Sequence, residues 1–474
     1  MKNLSPSVVK SWREWMLPLC LTITFIANFV FFYLGLCLKE NRAREIAFIL
    51  VAILFAIGSG LSFLRLLGEK ILSPGQILLL AAVLLYFVAA YAVRYLSFGT
   101  SGDMPAYAAR FITLCIPPFF CGACAAAWKT EGSYVEKLER LTFLIVPGAV
   151  FYSFGLLFES NPFNYGADLG IIDYMAVAYT IMPFLFAHII RFADDEPFEL
   201  PVLKRAAKRP QLLRGCLIAL YWYAILASGT RGCYVCVSVF CIALYVSRRI
   251  HRQRARRTAI LSFIMIGALL LSVFVVRVPG LARASRMGLV IEGAAEGKFV
   301  TSEDSLGEYE NDIGALANHE GGMQIVNLDP GDEDPEDPTA NLIVKSRGTL
   351  WKLAFLEFKK SPLTGMRPGG YIIKYGMYPH NVPLELLCET GIVGTIPLAA
   401  LILLAAFRIL RAGLKRRECR YLLLFFLAYA LRACITSTLW ECPALLCALG
   451  YGLALQPEKP AKDLPAPPLK GAEE

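Results

Sequence analysis

Long apolar runs recur along this 474-residue chain, and their length limits what it can fold into. Each run has roughly 16 to 25 residues, which as a helix is close to the thickness of a bilayer's hydrocarbon core. In lipid, every backbone amide needs a hydrogen-bond partner inside its own segment, so such runs form helices. The hydrophobic share of 56% and the mean hydropathy of +0.53 exceed those of soluble domains. The sequence therefore predicts an all-α integral membrane protein.

We predict about twelve transmembrane helices from these runs. The segment 215–247 could instead form one re-entrant hairpin. The first run could also be a signal peptide, but we predict an uncleaved anchor because no small-residue cleavage site follows it. The predicted spans are 15–38, 46–67, 77–98, 107–128, 141–159, 171–192, 215–230, 232–247, 258–276, 382–407, 421–436 and 441–455.

Three strongly basic segments, 204–214, 248–257 and 411–420, indicate the orientation. Twelve spans place all three on one face together with both termini, and the positive-inside rule makes that face cytoplasmic. The long segment 277–381 then lies outside the cytoplasm. Membrane anchoring by these segments explains the net charge of +9, so no nucleic-acid partner is expected.

The predicted topology divides the chain into four regions. About nine spans occupy 1–276, a large extracytoplasmic loop 277–381, about three further spans 382–455, and a cytoplasmic tail 456–474. The loop contains an acidic insertion, 291–338, whose carboxylates could be read as a calcium site. Because it lacks the ordered alternation and closing glutamate of an EF-hand, we interpret it as a solvated insertion and predict no metal site.

The loop regains helical character after residue 340. Ser346 is a plausible N-cap, and Ser361-Pro362 should end the helix. The simpler interpretation is a short amphipathic helix on the membrane surface. The more specific hypothesis is that it also presents Arg347 to an anionic ligand. Its predicted apolar stripe comprises Leu350, Trp351, Ala354, Phe355 and Phe358.

Several arginines fall near the outer ends of predicted spans, where the positive-inside rule does not expect them. Such a residue snorkels to lipid head groups, pairs with a carboxylate or belongs to a site. Several together predict a basic pocket at the outer face. The planar guanidinium suits phosphate oxygens, and a diphosphate could engage two of them. The span arginines are Arg94, Arg110, Arg231 and Arg432, and the loop adds Arg347 and Arg367.

A histidine lies at the lip of the membrane, in Pro379-His380-Asn381 directly before a span. Histidine titrates near neutral pH and can accept a proton from a hydroxyl nucleophile. Arginines around a diphosphate would stabilise the charge that grows as it leaves. A structural role for His380 is the alternative that its position leaves open.

A set of short motifs resembles the O-antigen ligase and polymerase family of bacterial membrane glycan transferases. Residues 226–232 resemble its Ser-Arg-Gly element, with Thr230 where the family commonly has serine. The later motifs follow the family's C-terminal pattern in order, and the resemblance covers about residues 215–410. They are Arg347, Trp351, Ser361-Pro362-Leu363-Thr364-Gly365, His380-Asn381 and Glu389-x-Gly391-Ile392-x-Gly394.

The resemblance implies a metal-independent, inverting glycosyltransferase of the bacterial cytoplasmic membrane that needs no cofactor. It implies a glycan donor linked to undecaprenyl diphosphate, and an acceptor hydroxyl on a glycan, lipid or protein outside the cytoplasm. At the matching positions, Arg231 and Arg347 would bind the diphosphate and His380 would assist the acceptor hydroxyl. We expect further contacts to diphosphate or glycan from Arg94, Arg110, Arg367, Arg432, Asn381 and Glu389.

Alternatives to a ligase remain open. A polymerase of the same family would use the same residues with a growing glycan as acceptor. A lipid-linked oligosaccharide flippase would need charged side chains around mid-membrane cavities and related repeats, which the sequence does not indicate. A non-catalytic scaffold would leave the ordered arginine and histidine positions unexplained.

Overall fold

A computed structural model gives the fold of the greater part of the chain. Among the residues it describes, helices and turns occur without any strand, which confirms the all-α class. The acidic insertion, Arg110 and the tail from 457 lie outside the described residues. The described residues are 10–19, 41–99, 108, 111–158, 174–196, 210–253, 255–275, 347–375 and 378–456.

The α-helices within these ranges are numbered in chain order. They are α1 (Asn41–Gly68), α2 (Pro74–Phe98), α3 (Ile116–Trp128), α4 (Tyr134–Phe158), α5 (Tyr174–Asp194), α6 (Pro210–Ser228), α7 (Arg231–Ile250), α8 (Arg256–Phe274), α9 (Arg347–Lys360), α10 (Gly370–Tyr375), α11 (Val382–Lys415), α12 (Arg417–Ile435) and α13 (Pro443–Ala454). A π-helical turn, Phe111–Cys115, precedes α3, and a 3-10 turn, Leu439–Glu441, precedes α13.

By length and composition, eight helical segments of the described chain could cross a membrane. They are α1, α2, α3 with its preceding turn, α5, α6, α7, α8 and α11. Helices α4, α12 and α13 occupy three more of the predicted positions. The segment 215–247 forms two separate helices of 19 and 20 residues, α6 and α7, rather than a short re-entrant hairpin.

Helix α13 has 12 residues, too few to cross a bilayer, and it is buried among its neighbours. Glycines let its backbone touch that of α3. A Cβ added at Gly450 would lie 2.1 Å from the carbonyl oxygen of Phe119, and one at Gly122 would lie 2.0 Å from that of Cys447. Small residues at such crossings allow the close backbone approach on which helix association in membranes depends.

Replacing Gly450 by alanine should therefore lower the thermal unfolding temperature of the detergent-solubilised protein. Overpacking of this kind costs about 1–3 kcal/mol. Gly267→Ala in α8 is the matched control, because a Cβ there meets nothing within 4 Å. The control should unfold at or above the wild-type temperature, since alanine favours a helix more than glycine does. Equal unfolding temperatures for the two variants would contradict the proposed packing.

Ion pairs and a hydrogen bond bring together Arg214, Arg248 and Arg417, one described arginine from each of the three basic segments, at one end of the bundle. Arg248 and Arg417 both pair with Asp194 at the end of α5. Arg417 also lies 3.0 Å from a Glu196 oxygen, and Arg214 donates to the Glu196 carbonyl at 2.8 Å. We call this end, formed by these five residues, the basic end. Helices α7 and α11 reach it from the opposite end, which we call the His380 end.

Helix α11 is interrupted at Gly391, where φ is 58° and ψ is −166°. This backbone region is essentially restricted to glycine. Its 34 residues would measure about 50 Å if straight, well beyond a hydrocarbon core of about 30 Å. The kink separates a short N-terminal segment, 382–390, from the longer remainder. The short segment carries Glu385 and Glu389, whose carboxylates accept hydrogen bonds from other segments at the His380 end.

Candidate active site

His380 occupies a constrained position immediately before α11. Its φ of +57° lies in the left-handed region, which is uncommon for residues other than glycine. Its ring centroid lies 4.3 Å from that of Tyr378. Asn381 caps α11, because its side chain accepts from the Leu384 amide at 3.0 Å, and its Nδ2 donates to the Cys434 carbonyl at 2.9 Å. The histidine is thereby tied to the last turn of α12.

Glu385 makes a second connection between the start of α11 and the segment after α12. Its Oε1 accepts from the Thr438 hydroxyl at 2.5 Å, and its Oε2 accepts from the Leu439 amide at 2.9 Å. The side chain is 2% exposed. Both carboxylate oxygens are thus engaged, so Glu385 positions the His380 segment. Sequence reasoning did not select it, because a glutamate in the first turn of a helix is common.

Tyr179 contacts one of the predicted arginines, Arg432, and the residue that follows another, Arg231. Arg231 is the first residue of α7 and is exposed. The next residue, Gly232, packs so closely on Tyr179 that an added Cβ would lie 2.4 Å from its hydroxyl oxygen. The guanidinium carbon of Arg432 lies 4.0 Å from the centroid of the same ring. This is cation–π distance, so Tyr179 holds Arg432 near the start of α7.

The turn between α6 and α7 explains how Arg231 is presented. Gly229 has a φ of +70°, and the Ser228 hydroxyl donates to the Thr230 hydroxyl oxygen at 2.9 Å. The Thr230 amide donates back to Ser228 Oγ at 3.2 Å. Threonine keeps the hydroxyl that the family's usual serine would supply. This tight turn places Arg231 at the start of α7, where it is exposed between the buried Thr230 and Gly232.

A second group joins α2, the loop after α9 and α11. Glu389 accepts from the Gly369 amide at 2.7 Å and from the Tyr371 amide at 3.3 Å. The guanidinium of Arg94 packs on Gly369, where an added Cβ would lie 2.4 Å from its Cζ. Arg94 is 1% exposed and Glu389 is 4% exposed. The exposed Arg367 donates to Ser97 Oγ at 3.2 Å.

Backbone hydrogen bonds fasten the loop 361–366 to the kink of α11. The Met366 amide donates to the Cys388 carbonyl at 2.8 Å, and the Val393 amide donates to the Leu363 carbonyl at 3.0 Å. A Cβ on Gly391 would lie 2.4 Å from the Leu363 carbonyl. Two motifs that are about 25 residues apart in sequence therefore form one structural unit.

Helix α9 begins at Arg347 and ends at Lys360, in agreement with the predicted helix. It packs on α10 and α11 through a small core of Leu350, Leu353, Ala354, Tyr371, Tyr375 and Cys388. The predicted stripe is correct for Leu350 and Ala354, whereas Phe355 is 47% exposed. The structure does not describe the side chain of Arg347, and only its position at the helix start is known.

Glu357 joins α9 to α10 at the edge of this core. Its Oε1 accepts from the Tyr375 hydroxyl at 2.7 Å, from Lys374 at 3.0 Å and from Lys360 at 3.1 Å. Burial raises the pKa of Glu357, but these three donors outweigh it and hold the net pKa below its ordinary value. The carboxylate stays charged near neutral pH and keeps the two helices together.

The predicted residues thus form two groups at the His380 end, joined by the N-terminal segment of α11, 382–390, which follows His380 and carries Glu389. The first group contains His380, Asn381, Arg231 and Arg432, and the second contains Arg94, Arg367 and Glu389. Arg231 and Arg367 are exposed, and His380 and Arg432 are half-buried, so these four can meet a ligand. The buried Arg94 and Glu389 instead hold the loop in place. The sequence did not indicate a role for Tyr179, because this residue lies inside a predicted span and belongs to none of the motifs.

Residues 216–399 match the sequence model of the O-antigen ligase family. Over these residues the chain is similar to the O-antigen ligase family. The match begins in α6 and ends in α11, so the matched region includes Arg231, Arg347 and His380. Comparison with curated proteins and with solved structures found no match. Together with the span-length helices, the match indicates a membrane enzyme of the O-antigen ligase or polymerase type.

Proposed function

We propose that this protein transfers a glycan from undecaprenyl diphosphate to an acceptor hydroxyl outside the cytoplasm. The reaction would invert the configuration of the transferred sugar and would need no metal. The His380 end would face the extracytoplasmic side of the bacterial inner membrane, and the basic end would face the cytoplasm. The distribution of basic segments supports this orientation.

The observation that supports the proposal best is the hydrogen bond from Asn381 to the Cys434 carbonyl. It fastens the His380 segment to the same last turn of α12 that carries Arg432. Since Arg432 lies over Tyr179 and Tyr179 packs on Gly232, the bond also relates His380 to Arg231. A base and two cations are thereby assembled from three regions that are distant in sequence.

In this mechanism, His380 accepts the proton of the acceptor hydroxyl as the oxygen attacks the anomeric carbon. The bond from that carbon to the diphosphate oxygen breaks, and the carrier diphosphate leaves with its electron pair. Arg231 and Arg432 stabilise the charge that develops on the leaving group. Arg347 would add a third cation from the start of α9, and Arg367 would add a fourth from the loop between α9 and α10.

A polymerase would use the same machinery, with a growing lipid-linked glycan in place of another acceptor. The geometry of His380, Arg231 and Arg432 is compatible with both. Supplying purified protein with one labelled donor and separate acceptors would distinguish them. A ligase requires a distinct acceptor, whereas a polymerase forms longer chains from the donor alone.

Arg231→Lys tests the role of the guanidinium. Lysine keeps the charge but loses the planar fork that can bind two phosphate oxygens at once. We expect kcat/KM for the lipid-linked donor to fall by roughly 10- to 100-fold. Arg256→Lys is the matched control, because Arg256 is also an exposed first residue of a helix, at the basic end. Unchanged kcat/KM in Arg231→Lys would argue against diphosphate binding at this position.

A further inference from the structure

A cavity of about 650 Å³ lies at the basic end, far from His380. It opens between the start of α2 and the last turns of α11, and Leu455 and Gln456 close one side. The Gln76 side chain donates to the carbonyls of Ala454 and Leu455, at 2.9 and 3.0 Å, which keeps the start of α2 in place. The cavity is therefore walled by three chain segments, and its lining includes none of the residues assigned to the transfer reaction.

One face of α11 gives the cavity a positive charge. Arg408, Arg411 and Lys415 line it at the i, i+3 and i+7 positions, which share a helix face. Arg416 lines it as well and pairs with Glu131 at 2.9 Å. Arg408 donates to the Leu453 carbonyl at 2.8 Å, a neutral partner that leaves its charge uncompensated. The residues that line the cavity in the described chain include no aspartate or glutamate.

The same cavity has an apolar side formed by exposed side chains. Leu78, one turn into α2, is 71% exposed, and Phe407, on α11, is 60% exposed. Leu79 and Leu404 extend this surface. Along the helix axis, the lining thus changes from apolar residues to bases toward the end of the bundle. This change matches a lipid whose acyl chains lie against the apolar residues and whose head group lies near the bases at the membrane surface.

We propose that this cavity binds an anionic phospholipid of the adjacent leaflet. Its phosphate would contact Arg408, Arg411 and Lys415, and its acyl chains would lie against Leu78 and Phe407. Basic pockets between transmembrane helices suit such head groups. The start of α2 adds the positive end of a helix dipole to the same place. A free anion would use the bases but not the exposed apolar wall. A bound lipid would clamp α2 to α11, the helices that carry Arg94 and Glu389.

The test compares lipids added to the delipidated full-length protein in detergent, with native mass spectrometry counting bound lipid and thermal unfolding reporting stabilisation. Phosphatidylglycerol should bind and raise the unfolding temperature, whereas phosphatidylcholine and inorganic phosphate should have much smaller effects. In Arg411→Gln/Lys415→Gln, apparent affinity for phosphatidylglycerol should fall roughly thirtyfold, because each base near an anionic lipid contributes about a factor of five.

Lys129→Gln/Arg252→Gln is the matched control, since it removes two exposed bases of the same end that do not line the cavity. It should bind phosphatidylglycerol as the wild type does. The single variant Arg411→Gln serves if the double variant fails to fold, with about a fivefold loss expected. Wild-type affinity in Arg411→Gln/Lys415→Gln or in Arg411→Gln, or equal binding of phosphatidylcholine, would overturn the proposal. Equal stabilisation by inorganic phosphate would show a simple anion site and would overturn it as well.

Discussion

Replacing His380 by alanine is expected to reduce product formation by a factor of roughly 10² to 10⁴, the usual contribution of a positioned general base. The imidazole would accept the acceptor proton, and alanine offers no group that can do so. Binding of the lipid-linked donor should change little, because the diphosphate is assigned to arginines. The measurement is initial rate at saturating donor and acceptor, together with a donor binding constant.

His380→Asn is the more discriminating variant. The backbone at His380 has a φ of +57°, a region that asparagine tolerates better than most residues. Asparagine therefore preserves the local conformation while removing the titratable nitrogen, and it should be nearly as inactive as alanine. His251→Ala, in the turn after α7 at the basic end, is the control and should retain activity. Normal turnover by His380→Asn would contradict the catalytic assignment.

Replacing Gly391 by alanine is expected to lower the free energy of unfolding by roughly 2–5 kcal/mol and to abolish most activity. Alanine is strained at a φ of 58° and ψ of −166°. Its Cβ would also lie 2.4 Å from the Leu363 carbonyl carbon. The loop 361–366 would separate from the α11 kink, and Glu389 would lose its alignment with the Gly369 amide.

Gly60→Ala in α1 is the control, because an added Cβ there meets nothing within 4 Å. Thermal unfolding and transfer activity are measured on both variants. The Gly60 variant should behave as the wild type does. A Gly391→Ala protein that keeps both the wild-type unfolding temperature and the wild-type activity would show that a glycine is not needed at the kink. Wild-type stability with lost activity would instead indicate direct contact of this backbone with substrate.

Several features could be predicted because they depend on local sequence. The helix 347–360 has an apolar periodicity and a proline that ends it, and the structure agrees at both ends. The common end of the three basic segments follows from counting spans. Apolar length identifies membrane helices because the bilayer imposes one thickness on all of them.

Other features could not be predicted, because they depend on contacts between distant residues. Glu389 was expected to meet substrate, yet it lies buried against the amides of Gly369 and Tyr371. Arg94 was expected to do the same, and it packs on Gly369. Tyr179 and Glu385 carry no local signal at all. Their roles appear only when α5, α11 and α12 are packed together.

The sequence by itself determined that the chain spans a membrane and that its basic segments share one end. It also determined which motifs lie near the opposite end, the His380 end. These properties follow from hydrophobicity, charge and order along the chain, which need no long-range contact. The tertiary structure decided which charged side chains remain accessible. Arg231, Arg367 and His380 can reach a ligand, whereas Arg94 and Glu389 are buried because backbone amides and a glycine surround them. Burial is a property of packing, and packing is set by residues far apart in sequence.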